Sequence, residues 1–310
     1  MTSAPDQPAG ETAGAAAGAT TGMEDAGGGG QASLWGDAWK DLRRNPLFII
    51  SALLIITFTV MAIWPSLFTN ADPSFSDLSR TAEPPSNEAW FGFDVQGRDY
   101  FARTVYGARA SIIIGVSVVL LAAAIAIVLG MVAGYFGGWI DAVISRIADI
   151  WFALPLVLGA MVVLAVIDRR TVWTVAFVLT LFAWPTMTRL MRSAVIANKD
   201  ADYVNAARVL GASNVRIMVK HILPNALAPV IVYGTIMIGV MISAEAALSF
   251  LGIGLRPPSV SWGVAINGAQ TRILQAPHLL AFPAAFLALT VLGFVMLGDA
   301  LRDALDPKLR

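Results

Sequence analysis

"ADYVNAARVLGASNVRIMVKHILPN", residues 201–225, is a basic amphipathic segment set between two long apolar runs. Its periodicity predicts a helix with Tyr203, Ala206, Ala207 and Leu210 on one face, at i, i+3, i+4 and i+7, and Asp202, Asn205 and Arg208 on another. Gly211 falls where a helix ends in a left-handed residue, and Ser213, after Ala212, falls where the next helix takes a capping hydroxyl. The second helix puts Val215, Met218, Val219 and Ile222 on one side and Arg216 with Lys220 on the other, until Leu223-Pro224 ends or kinks it. The unit is helix, glycine turn, helix. Small residues at Ala206, Ala207 and Gly211 let another backbone approach closely, which suits docking of a soluble partner. The competing reading is a loop lying on anionic lipid.

The surroundings make this a membrane protein. Of 310 residues, 57% are hydrophobic and 14% charged, well outside the usual range of a soluble domain. Six windows carry at most one charge over a spanning length: 45–71, 110–140, 150–167, 171–188, 221–255 and 273–297. The third and fourth, at about 18 residues, give roughly 27 Å of helix against a hydrocarbon core of about 30 Å. Helices are required, because an open strand in lipid leaves its backbone unpaired. The expected class is therefore an all-α integral membrane protein with six transmembrane helices. The bias of Lys and Arg puts both termini in the cytoplasm, with Arg169 and Arg170 as exceptions in a short outer loop.

Along the chain, residues 1–33 read as a disordered cytoplasmic tail of Ala, Gly, Thr and Ser with four acids, not a cleavable signal, because no basic n-region precedes an apolar run. Residues 34–66 form an amphipathic approach, with Trp35 and Trp39 at i, i+4, and the first span; 67–109 form an extracytoplasmic loop. Residues 110–302 hold the remaining spans and the cytoplasmic loop 193–225, and 303–310 end the chain in the cytoplasm. Asp141 with Arg146, or Arg146 with Asp149, can pair on one helix face. Pro155 and Pro185 fall inside spanning windows, where neighbouring helices tolerate kinks. No internal repeat is visible, so inverted-repeat carriers gain no support.

Glu245 is the lone acid of the fifth span. A central charge costs about 2.5–3.5 kcal/mol, which the apolar residues around it outweigh, so the helix inserts with its acid facing protein or water. It either lines a passage, contacting what passes or a gate, or makes an interhelical hydrogen bond near the outer end. His221 and His278 lie on opposite sides by this topology, so no metal site is expected. The absence of cysteine excludes thiolate sites, and zero net charge gives no attraction to nucleic acid. A Gly-x-x-x-x-Gly-Lys-Ser/Thr phosphate loop is missing, so the chain should not hydrolyse ATP, and no catalytic residue is assigned. An intramembrane protease would need a His-Glu-x-x-His pair, a second facing acid or a Ser–His pair at depth. A passive channel would work without an ATPase.

The opening segment resembles the cytoplasmic loop of ABC importer permeases, whose pattern is Glu-Ala-Ala, three residues, Gly, nine residues, Ile, one residue, Leu-Pro. Here it reads Asn205-Ala206-Ala207, Gly211, His221 and Leu223-Pro224, with Asn205 in place of the acid and His221 in place of Ile. The stretches "FGFDVQGRDYFARTVYGARASI" (91–112), "GYFGGWIDAVISRIADIWFALP" (134–155), "AALSFLGIGLRPPSVSWG" (246–263) and "GDALRDALDPKLR" (298–310) extend the likeness to the C-type permease of dipeptide and oligopeptide importers. The resemblance implies the type I ABC importer fold in a bacterial inner membrane. Residues Tyr203, Asn205, Ala206, Ala207, Gly211, Ala212, Ser213, Leu223 and Pro224 would form the ATPase coupling loop. It further implies a second homologous permease, two cytoplasmic subunits binding ATP and Mg, and an extracytoplasmic peptide-binding protein; this chain would hold no cofactor itself. A nickel or other small-solute importer remains the alternative.

Overall fold

A computed structural model of the chain describes Trp39 and residues 42–305; the expected tail 1–33 and the last residues of the carboxyl end lie outside these. The chain enters its first span at α1 (Pro46–Ile63), where the Asn45 side chain accepts from the Leu47 N–H at 2.9 Å and Pro46 supplies a helical φ without needing a donor. After an irregular segment come α2 (Tyr100–Phe136), α3 (Gly138–Phe152), α4 (Leu156–Val166), α5 (Val172–Asn198), α6 (Asp202–Val209), α7 (Asn214–Phe250), α8 (Trp262–Ala269) and α9 (His278–Leu305). Among the described residues the only β pairing is one isolated bridge, Phe93 with Asp99.

Helices α1, α2, α5, α7 and α9 are each long and apolar enough to cross a bilayer, and the pair α3 and α4, bent by 82°, makes a sixth crossing if counted as one. Connectivity decides that count. A Cβ on Gly130 would meet Met191 and Thr188, and one on Gly134 would meet Val195 and Arg192, so α2 and α5 advance in the same direction side by side. The chain between them must return across the membrane, and only α3 with α4 can do it.

The third window, 150–167, where Pro155 allows a kink, is not one helix but falls across the bent pair α3 and α4. α4 has 11 residues, about 16 Å, too short to span alone. Pro155 disfavours helical backbone in the residue before it and donates no N–H, so the path breaks there and α4 restarts behind it. The irregular segment after α1 ends earlier than the expected boundary at 109, because the Asp99 carboxylate accepts from the Ala102 N–H at 2.7 Å and starts α2 at Tyr100. Pro185, by contrast, lies buried within α5 without ending it.

Two ends of the bundle are distinguished by their cross-ties. At one, Asp94 pairs with Arg98 (2.7 Å) and Arg103 (3.2 Å), Arg170 donates to the Gly252 carbonyl at 3.3 Å, and the Trp262 indole donates to the Thr104 carbonyl at 2.9 Å. The other carries the segment 199–213, where the Tyr135 hydroxyl donates to Asn214 at 2.9 Å. Between them Ile114, Leu164, Leu179, Met187, Met191, Ile222, Met241 and Leu248 fill the core.

Candidate functional site: the elbow and the buried acid

The elbow begins with α6, which has Asp202 in its first turn and Arg208 in its last, both favourable to the helix dipole. Gly211 follows at φ +79°, its N–H bonded to the Arg208 carbonyl and the Ala212 N–H bonded to the Ala207 carbonyl, each at 3.0 Å. These are the paired closing bonds of a Schellman turn. Nothing lies within 4 Å of where a Gly211 Cβ would stand, so its backbone conformation, not crowding within the chain, requires glycine. Ser213 then caps α7, accepting from the Arg216 N–H at 3.4 Å.

The faces differ from the periodicity reading. Val204 and Ala207 are buried, whereas Tyr203, Ala206 and Leu210 point outward, because the elbow packs on the bundle along an adjacent stripe. Val209 and Leu210 stand 87% and 86% exposed at the tip. On α7, Ile217, Met218 and Ile222 are buried while Val215 and Val219 face out. Pro224 does not end this helix. Residues Ile217–Ile222 widen into a π turn in which the Leu223 N–H reaches the Met218 carbonyl, five residues back, and α7 continues unbroken to Phe250. The widened turn accommodates the missing proline donor.

Side chains tie this elbow to its neighbours. The Tyr203 hydroxyl donates to Asn198 of α5 at 3.1 Å and accepts from Asn225 of α7 at 3.3 Å. Asn205 spends both ends locally, donating to the Asp200 carbonyl and accepting from Arg208, each at 2.9 Å. Leu223 is half-buried and Pro224 exposed.

Alongside, α3 is anchored to α5 by two ion pairs that the reading along one helix missed. Asp141 receives the guanidinium of Arg192 through both oxygens, one contact at 2.6 Å, and Asp149 pairs with Arg189. Arg189 also lies over the Phe152 ring at 3.8 Å. Of the two expected pairs, Arg146 with Asp149 forms, at 3.7 Å.

Glu245 lies near the opposite end of α7 and is fully buried. Its carboxyl group accepts from Ser249 (2.8 Å), Ser261 (3.0 Å) and Ser111 (3.1 Å), which come from α7 itself, the cap of α8 and α2. Ser249 was legible at i+4; Ser111 and Ser261 were not, being distant in sequence. This is the interhelical hydrogen-bonding arrangement, with no open surface at the acid.

Two family descriptions match parts of the chain: "Binding-protein-dependent transport system inner membrane component" over residues 126–310, and "N-terminal TM domain of oligopeptide transport permease C" over residues 33–85. The chain is 39% identical over 278 residues to the oligopeptide transport system permease protein OppC of Bacillus subtilis, covering 90% of this chain and 91% of that one. It is 41% identical, over the same shares, to the dipeptide transport system permease protein DppC of Alkalihalophilus pseudofirmus. Against the glutathione transport system permease protein GsiD of Escherichia coli O157:H7 it is 39% identical, over 89% of this chain and 91% of that one. The chain belongs to the binding-protein-dependent transport system inner membrane components, and is a multi-pass permease subunit of an inner membrane.

Proposed function

We propose that this chain pairs with a second homologous permease to form the alternating-access pathway of an ATP-driven peptide importer. The relatives at about 40% identity transport oligopeptides, dipeptides and glutathione by their names, which supports a peptide as cargo. An extracytoplasmic binding protein delivers that peptide, and two cytoplasmic subunits bind ATP and Mg. Both termini and the elbow face the cytoplasm.

The observation that carries this reading is the elbow's tip. Two apolar side chains, Val209 and Leu210, stand free in a segment otherwise held by Tyr203, the glycine turn and the Ser213 cap. A rigid mount with an apolar point suits insertion into a cleft on an ATPase. From it α7 runs unbroken for 37 residues, so a push at the elbow is delivered along one rigid helix. Asn205, already committed within the elbow, supplies no acid for a salt bridge, and docking falls to the apolar tip and the backbone around Gly211.

The test is purification of the tagged chain from its native membrane in mild detergent, with the parent compared against Gly211→Glu. Recovery of a second permease and ATPase subunits is expected, with Gly211→Glu, which both strains the turn and adds a charge, releasing the ATPase. Recovery of the chain alone or as a homo-oligomer, indifferent to the substitution, would instead favour an ATP-independent channel.

A further inference from the structure

We infer that Glu245 is the positioning residue through which α7 carries the outer segment 251–277, so that the stroke received at the elbow is delivered to the extracytoplasmic face. The inference rests on the importer reading for its direction and on the buried geometry for its substance.

Immediately after α7, the chain folds back on that helix's last turns. A Cβ at Gly254 would stand 2.6 Å from the Ser249 backbone nitrogen, and one at Gly263 2.7 Å from the Ala246 Cα, so the returning backbone lies directly against α7. Within that contact the hydroxyl protons are assigned by their neighbours. Ser249 accepts the Leu255 N–H at 2.9 Å, which leaves its own proton for Glu245. Ser261 accepts the Val264 N–H at 3.2 Å and likewise donates to Glu245. Ser111 donates to the other carboxyl oxygen. One carboxyl group therefore holds the end of α7, the start of α8 and the wall formed by α2.

The seat of α8 is tight on the α2 side as well. Gly107 lies against Ser261 and Trp262, and the Trp262 indole donates to the Thr104 carbonyl. Glu245, Ser111, Ser249 and Ser261 are each no more than 1% exposed. Contact with cargo needs open space that the acid lacks, so it acts through its serines. Removing the carboxyl group strands three buried hydroxyls and loosens the outer segment on the helix that drives it, leaving the Asn267 and Gln270 amides on the Phe250 carbonyl among its remaining side-chain ties there.

The chain has no cysteine, so an introduced thiol is the only one it carries. Ala269→Cys, at a position 1% exposed in α8, reports loosening of the outer segment to a membrane-impermeant maleimide, in the full complex reconstituted in proteoliposomes. With Glu245→Ala we expect labelling about tenfold faster and peptide uptake about tenfold slower, while ATP turnover stays within about twofold. Glu245→Gln keeps a carbonyl for Ser249 and Ser261 and a donor for Ser111, and should restore both readouts. Parental labelling and uptake in Glu245→Ala would overturn the inference, as would a Glu245→Gln variant that labels like the parent but does not transport. Should Glu245→Ala not accumulate in the membrane, Ser111→Ala decides, with faster labelling expected and unchanged labelling fatal. Failure of the unsubstituted complex to import peptide with ATP would sink the importer reading alone, since the labelling comparison does not depend on cargo.

Discussion

Leu210→Asp separates docking from folding. Leu210 is 86% exposed beside Val209 at 87%, so the chain's own core loses nothing when either changes. A cleft that closes over this tip removes each side chain from water, worth about 1.5–3 kcal/mol apiece. Substituting Asp forfeits that gain at one position and adds the cost of drying a carboxylate, so the loss is at least about 2–3 kcal/mol, or roughly 30- to 150-fold in affinity. Within the chain the new charge meets the carboxyl end of α6 and destabilises the elbow by about 0.3–1 kcal/mol, a cost that Leu210→Ala does not share and that the unfolding measurement reads separately. The assay is titration of the ATPase subunit against the paired permeases in nanodiscs, with thermal unfolding measured alongside. Leu210→Asp should bind at least about 30-fold more weakly, with Leu210→Ala between it and the parent. An affinity for Leu210→Asp within about threefold of the parent would refute docking through the tip, and the elbow would revert to a loop on lipid.

Three further outcomes follow from the packing. Gly134→Val places a Cβ 2.8 Å from that of Val195 and 2.9 Å from the Arg192 carbonyl oxygen, so α2 and α5 must part at a cost of about 1–3 kcal/mol; the unfolding temperature in detergent should fall, and an unchanged midpoint contradicts the close seam. A double-mutant cycle of Asp141→Asn and Arg192→Gln should show about 1 kcal/mol of coupling, discounted because the two side chains remain 20% and 33% exposed; purely additive effects would mean that α3 is held by other contacts. Tyr203→Phe removes the hydroxyl shared by Asn198 and Asn225, worth about 0.5–1.5 kcal/mol, and amide exchange across Asp202–Val209 should quicken accordingly, whereas parental exchange rates would deny the hydroxyl its bridging role.

Local chemistry explains which of these features could be read in advance. The glycine turn and the Ser213 cap are properties of a few consecutive residues, so the elbow appears in the structure where its sequence places it. Apolar runs locate the spans for a similar reason, since lipid demands length and composition and little else. The third crossing was legible as an apolar run, but the sharpness of its break was not, because Pro155 acts within one turn while the apolar composition runs on across it. Likewise Pro224, read locally as an end or a kink, is absorbed by a π turn whose Ile217, Met218 and Ile222 are buried against the bundle. What no pattern in one chain displays is contact between distant segments. Asp141 is 51 positions from Arg192, and Ser111 is 134 from Glu245. Both acids were visible; their partners were set by the packing of α3 on α5 and of α2 on α7.

The central claim, that this permease is driven by ATP hydrolysed elsewhere and engages the ATPase through its elbow, is tested most directly by uptake of labelled peptide into proteoliposomes. These would hold both permeases and the ATPase subunits, with the binding protein outside and ATP with Mg on the elbow side. Accumulation above the external concentration that requires ATP and disappears with Leu210→Asp is the predicted result. Peptide flux that merely equilibrates, proceeds without the ATPase and ignores the substitution would contradict the account.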